Sequence, residues 1–245
     1  MSYRRASAVA VALVIVLLIA RAPASLLGYA LPPGVKATGL TGTVWNGGVA
    51  HVEIPLQSQP FALGRIAWRL NPTGLLFGDV IRLQSDWGSQ QVNASVSPRF
   101  NGSFRLNDAQ LRIDLGWLRQ LLPLYVGGQL EADIASLRIN ADGMPTTAVG
   151  RLVWKNATWR AIGGDVSLGS YAIDVTTSDT GIRAGIITLK GALEVDGSVT
   201  IAGDSYRVAA NLSGPAARNE AFQQAIALLA VPNGSGYRIE LSGTL

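Results

Sequence analysis

Beyond Leu31, hydrophobic residues recur at every second position. In the stretch SYRVAANL, Tyr206, Val208, Ala210 and Leu212 alternate with Ser205, Arg207, Ala209 and Asn211. In GYRIELSG, Tyr237, Ile239 and Leu241 alternate with Arg238, Glu240 and Ser242. Successive side chains of an extended strand leave opposite faces, so this period predicts half-buried antiparallel strands. The same pattern sets Leu130, Ala132 and Ile134 against Glu131 and Asp133, and Leu193 and Val195 against Glu194 and Asp196. Between the runs stand Asn46-Gly47-Gly48, Asn101-Gly102, Asp142-Gly143, Asp196-Gly197 and Gly203-Asp204. Such residues tolerate the positive φ of tight hairpin turns. The expected fold is therefore mainly β: an antiparallel meander, strongly curved where its outward residues are small.

Two segments of this β-rich region carry a helical period instead. Asp114 to Leu122 (DLGWLRQLL) sets Leu115, Leu118, Leu121 and Leu122 on one face, with Asp114 as N-cap and Pro123 as the stop. Pro215 to Ala230 (PAARNEAFQQAIALLA) starts with proline in the first turn and spaces Phe222, Ile226 and Leu229 at i, i+4 and i+7. The first of these falls near mid-chain and predicts a division near residue 125. The expected parts are 1–30, a cytoplasmic start, anchor and linker; 31–125, a first β-rich half; and 126–245, a second β-rich half with the later helix and a closing strand. A weak internal echo agrees, since Gly42 to Gly48 and Gly150 to Asn156 each place a Trp before turn residues.

The N-terminal segment obeys neither period. Ala6 to Ala20 reads ASAVAVALVIVLLIA, with Arg4 and Arg5 before it and Arg21 after it. As a helix this run would reach about 23 Å, short of a hydrocarbon core of about 30 Å. Extended from Tyr3 to Ala22, it is long enough if the flanking arginines lift their guanidiniums into the headgroups. The segment is thus expected to be a single-pass anchor, with Ala6, Val9, Leu13, Val16, Leu17 and Ala20 in lipid. A cleaved signal peptide is the competing reading, with Ala22-Pro23-Ala24 as the small-residue cleavage motif. Pro23 within that motif and Arg21 before it make a poor peptidase substrate, so the uncleaved anchor is preferred. The basic start places the N-terminus in the cytoplasm and the bulk of the chain across the membrane, in a bacterial periplasm.

Composition excludes most chemistry. The chain has 245 residues, no Cys and one His, which removes disulfide scaffolds, thiol nucleophiles and cysteine or multi-histidine metal sites. At 48% hydrophobic and 15% charged residues it has enough apolar surface to fold. From Leu31 onward seventeen basic residues face sixteen acidic ones, and the basic residues are scattered, so there is no electrostatic footprint for nucleic acid. No GxSxG, HExxH, Walker or EF-hand motif occurs. His51 and Glu53 share a strand face, and Glu131/Asp133 and Glu194/Asp196 have the side-by-side spacing of paired acids. Without a nucleophile or metal partner, these are read as structural residues and solvated strand faces. No catalytic, cofactor or metal site is expected.

Several ordered blocks resemble a known family. After the apolar segment come Gly39 to Gly47 (GLTGTVWNG) and Ile66 to Gly78 (IAWRLNPTGLLFG). Later come Gly150 to Ala157 (GRLVWKNA), Leu168 to Tyr171 (LGSY), the segment from Arg218 to Ala230, and Gly236 to Leu245 (GYRIELSGTL). In order and spacing they are similar to the type II secretion system protein N family, also called general secretion pathway protein N. The resemblance implies a non-enzymatic accessory component of the machine that exports folded proteins from the periplasm across the outer membrane. Its implied partners are other secretion components, the inner-membrane platform and the secretin among them, and the inner membrane itself. The exported region also resembles AsmA-like proteins, whose curved sheets expose an apolar inner face to lipid. On that likeness Tyr206, Val208, Leu212, Tyr237, Ile239 and Leu241 are the candidate inner face, against the alternative of an ordinary closed core.

Overall fold

The computed structural model of the chain describes residues 3–31, 33–55, 61–71, 74, 80–99, 101–116, 126–161, 164–227 and 229–244. Its contacts divide it into two compact units, Met1–Trp87 and Gly88–Leu245.

The first unit begins with α1 (Tyr3–Ala20), followed by a short 3-10 helix, Ala24–Ala30. Seven short strands come next: β1 (Lys36–Thr38), β2 (Thr41–Gly42), β3 (Asn46–Val49), β4 (His51–Ile54), β5 (Phe61–Leu63), β6 (Arg65–Leu70) and β7 (Ile81–Trp87). They make two antiparallel sets. In one, β4 lies between β1 and β5; in the other the order is β2-β3-β6-β7. Among the described residues, no helix is long and apolar enough to cross a membrane.

The second unit is an antiparallel meander. Its strands are β8 (Gln90–Pro98), β9 (Phe104–Asp114), β10 (Val126–Ile139), β11 (Pro145–Ala161), β12 (Gly164–Ser178), β13 (Gly181–Gly191), β14 (Glu194–Ala202), β15 (Ser205–Ser213), β16 (Ala230–Asn233) and β17 (Gly236–Thr244). Each of β8 to β14 pairs with the next in sequence, β15 pairs with β17, and β16 closes the edge beyond β17. Hairpin connection explains the order, because antiparallel neighbours need only a tight turn. Asn140 builds one such turn: its Oδ1 accepts from the backbone N–H groups of Asp142 at 3.1 Å and Met144 at 2.8 Å.

The ladder is interrupted along one line. Asn156 adopts φ 50° at a register shift between β11 and β12, and its N–H donates to the Ser170 hydroxyl at 3.1 Å. On the next two strands, Gly169 of β12 and Gly191 of β13 stand opposite each other at φ 144° and 143°. A Cβ on either would run into the backbone of its neighbour, so only glycine lets β12 and β13 approach there. Bulges of this kind bend and twist a strand locally.

Of the two expected helices, the first falls mostly on residues 117–122, outside the described residues, and the second is revised. Asp114 ends β9, paired with Gln129, and its Oδ1 accepts from the Gly116 N–H at 2.7 Å. The carboxylate therefore shapes a turn at a strand end, while residues 117–125, with the expected division near 125, lie outside the described residues. The predicted helix from Pro215 to Ala230 is split. A 3-10 turn, Pro215–Arg218, stops at Asn219, whose backbone is extended at φ −70° and ψ 124°. Asn219 then caps α2 (Glu220–Ile226) by accepting the Phe222 N–H at 3.2 Å. Ala230 leaves the helix because it pairs with Ile239 as the first residue of β16.

Candidate functional site

Residues directly opposite one another in a ladder point to the same side of the sheet. In β15 and β17, Leu212 faces Tyr237, Ala210 faces Ile239, Val208 faces Leu241 and Tyr206 faces Gly243. The six residues expected on the inner face are thus brought together on one side of one strand pair. The same side continues through the unit. Val208 stands opposite Val199, which faces Ala184, and Tyr206 stands opposite Ile201, which faces Ile182. Further along, Ile186 faces Ile173, Ile173 faces Leu152, Leu152 faces Ala132 and Ala132 faces Leu111. The face is therefore apolar from β9 to β17. Its extension beyond β15 and β17 was visible in the alternation of Leu130, Ala132 and Ile134, but joining those positions to Val208 required the register.

One end of this face is covered. Leu212 is buried in a cluster with Leu168, Tyr171, Leu193, Ala216, Ala217, Phe222 and Ile226, and Tyr237 and Ile239 pack against it. The 3-10 turn and α2 supply four of those residues, so these elements form the cover. Tyr171 is deeply buried and tilted against Trp154, with ring centroids 5.8 Å apart, and its hydroxyl donates to the Leu193 carbonyl at 2.9 Å. Burial pushes its phenol up to about 12. At the other end Tyr206 and Val208 are half-buried and Leu241 is 37% exposed.

The opposite side of the sheet carries the charged residues, interspersed with Val153, Ala172 and Ile187. Glu131 takes Arg112 Nε on Oε1 at 3.3 Å and Lys155 Nζ on Oε2 at 2.6 Å. The Lys155 hydrogen bond, which outweighs a counteracting desolvation, holds its carboxyl below the usual range, with the positive charges of Lys155 and Arg112 adding to the effect. Arg151 pairs with Asp174 at 3.3 Å, and Asp133 stands opposite Arg151 in the ladder. Glu194 accepts from the Ser213 hydroxyl at 3.1 Å. One member of each acid pair weighed from the sequence, Glu131 and Glu194, is thus engaged by neighbouring side chains. His51 and Glu53 do meet on β4, at 3.5 Å, with both side chains about 40% exposed. Among the described residues, no group of His, Cys, Asp or Glu could hold a metal ion.

The expected anchor residues all lie in α1. From Val9 to Ile19 every Val, Leu and Ile side chain, with Leu13, Val16 and Leu17 among them, is 50–68% exposed, and Ala20 is exposed as well. The side chain of Ala6 lies outside the described residues. From Val9 to Ala20 the helix is apolar on all sides, and no strand packs along it among the described residues. What sequence reasoning missed is its far end, where the Trp45 indole N–H donates to the Ile19 carbonyl at 2.8 Å.

Comparison with known proteins follows the same lines. The chain is 30% identical over 171 residues to the type II secretion system protein N of Vibrio cholerae serotype O1, an alignment covering 66% of this chain and 63% of that protein. It is 26% identical over 233 residues to the type II secretion system protein N of Aeromonas hydrophila, covering 89% of each. No solved structure matches the chain. The family model for type II secretion system (T2SS), protein N, matches residues 33–240, which takes in almost every strand of both units, and the chain belongs to that family.

Proposed function

We propose that the protein is a non-enzymatic accessory component of a type II secretion system, held in the bacterial inner membrane by α1 with its N-terminus cytoplasmic and its β-units periplasmic. Family membership supports the secretion role. The observation that carries the anchor is the ring of exposed Val, Leu and Ile side chains around α1, since a helix apolar on all sides belongs in a large core or a bilayer. The anchor raises the effective concentration of the β-units near other membrane-held parts of the machine. Contacts with the inner-membrane platform, and with the secretin, would run through strand edges that can accept a partner's strand. The edge strand β16, with Val231 68% exposed, is such a place. Deleting the chain from a secreting strain should leave exoproteins in the periplasm; normal export would refute the reading.

A second reading rests on the apolar side of the second unit, whose Tyr206, Val208 and Leu241 extend beyond the cover of α2. Such a face could hold an acyl chain, as in AsmA-like lipid-binding proteins. Mass spectrometry of native against delipidated protein tests this: copurifying lipid that is lost in a Val208→Glu variant supports it, and equal lipid in both removes it.

A further inference from the structure

The last carbonyls of a helix have no partner within it. At the end of α1 the β2–β3 hairpin takes one of them and one carbonyl just beyond the helix: Ile19 O, which also accepts the Ala22 N–H at 3.2 Å, accepts the Trp45 indole N–H at 2.8 Å, and Ala22 O, two residues past the helix, accepts the Val44 N–H at 2.9 Å. Pro23 also forms an isolated bridge with Thr43. The helix thus passes into the first unit through direct bonds and not through a free linker. The 3-10 helix Ala24–Ala30 continues the attachment. It packs on β2 and β3, buries Ala24, and brings Gly28 within reach of Leu40.

The outward side of this attachment is unusual. From Ala22 to Val35 the chain carries no charged residue, though Arg21 and Lys36 flank it. Within it Leu26 is 49% exposed and Tyr29 is 91% exposed. Trp and Tyr pair an apolar ring with a polar tip, which suits the headgroup layer at the edge of a bilayer. Arg21 has a stem that can lie along apolar surface while its charge reaches phosphate.

We propose that Leu26, Tyr29 and Trp45 form a membrane-surface collar, seated in the headgroup layer where α1 leaves the bilayer, and that the Trp45–Ile19 bond clamps the first unit to it. This rests on the reading of α1 as a membrane anchor. A lipid surface is the occupant because the collar follows directly on the apolar helix: Leu26 stands six residues after Ala20, the last helical residue. A protein partner would have to compete with the bilayer for the same side chains.

The absence of native cysteine allows single spin labels in the full chain. Leu13→Cys, Leu26→Cys and Tyr29→Cys variants are labelled and reconstituted in vesicles of phosphatidylethanolamine and phosphatidylglycerol, and depth is read from relaxation by oxygen against a water-soluble nickel complex. The expected result is a Leu13 label in hydrocarbon and Leu26 and Tyr29 labels at headgroup depth. A Leu13 label in hydrocarbon with the other two as accessible to nickel as free label in buffer overturns the collar and leaves the anchor standing. A Leu13 label in water overturns the anchor, and the collar with it. Adding Trp45→Phe keeps an aromatic ring and removes the donor. With circular dichroism unchanged, it should increase the mobility of the Tyr29 label; unchanged mobility overturns the clamp.

Discussion

Two stretches of one strand pair, β15 with β17, carry the same alternation and end in different surroundings. At one end Leu212, Tyr237 and Ile239 lie under Phe222 and Ile226 of α2. At the other end Val208 and Leu241 face each other with no helix above them among the described residues. Both stretches spend the same strand-forming residues, yet only the first is a core in the energetic sense. The difference teaches that alternation fixes which side of a sheet is apolar, while a separate element decides whether that side is closed.

The sharpest way to break the comparison is to remove the cover. Phe222→Ala deletes a buried ring from the cluster and should cost about 3–5 kcal/mol, measured by urea unfolding of the detergent-solubilised chain. A cost near that of an exposed residue would mean the covered end is not a core. Next is Tyr171→Phe, which leaves the Leu193 carbonyl without its donor and should cost about 1–3 kcal/mol.

The same tyrosine also predicts a pH dependence. Below pH 10, its ordinary value, the phenol is neutral folded or unfolded and its contribution is complete. Above that the unfolded chain ionises first, so stability falls as pH rises towards about 12, the folded value. Tyr171→Phe should remove this slope, as urea midpoints on both sides of pH 10 would show. Asn219→Ala removes the cap of α2 and should cost about 1 kcal/mol, with a loss of helical circular dichroism and no change in the strands. Leu241→Ala, on the open stretch, should cost about 0.5 kcal/mol or less, as surface substitutions do. A cost as large as that of Phe222→Ala would show that the open stretch is covered in the working protein.

The strands were legible because their signal is local. A period of two and glycine- or asparagine-bearing turns act over a few residues, and Tyr206 to Leu212 and Tyr237 to Leu241 form paired strands as their sequence predicts. The candidate inner face came together for the same reason. The helix from Pro215 to Ala230 failed because two non-local demands compete within it. Asn219 accepts the Phe222 N–H on its side-chain Oδ1 and restarts the helix, and β17 claims Ala230 for its edge. Periodicity cannot see an edge that lies nine residues further on. The Trp45 bond to Ile19 escaped for a similar reason, since it joins positions 26 residues apart.

By itself the sequence determined the class of structure, the apolar side of each strand, the uniformly apolar character of α1 from Val9 to Ala20 and, through the order of its blocks, the family. These follow from side-chain alternation and composition, which every stretch of chain carries within itself. Tertiary structure alone decided that the apolar rows of nine strands meet in one face, that α2 covers only its Leu212 end, and that Glu131 is held by Arg112 and Lys155 from two different strands. Each of these depends on register between strands distant in sequence, and register is settled by the summed pairing and packing of the whole sheet.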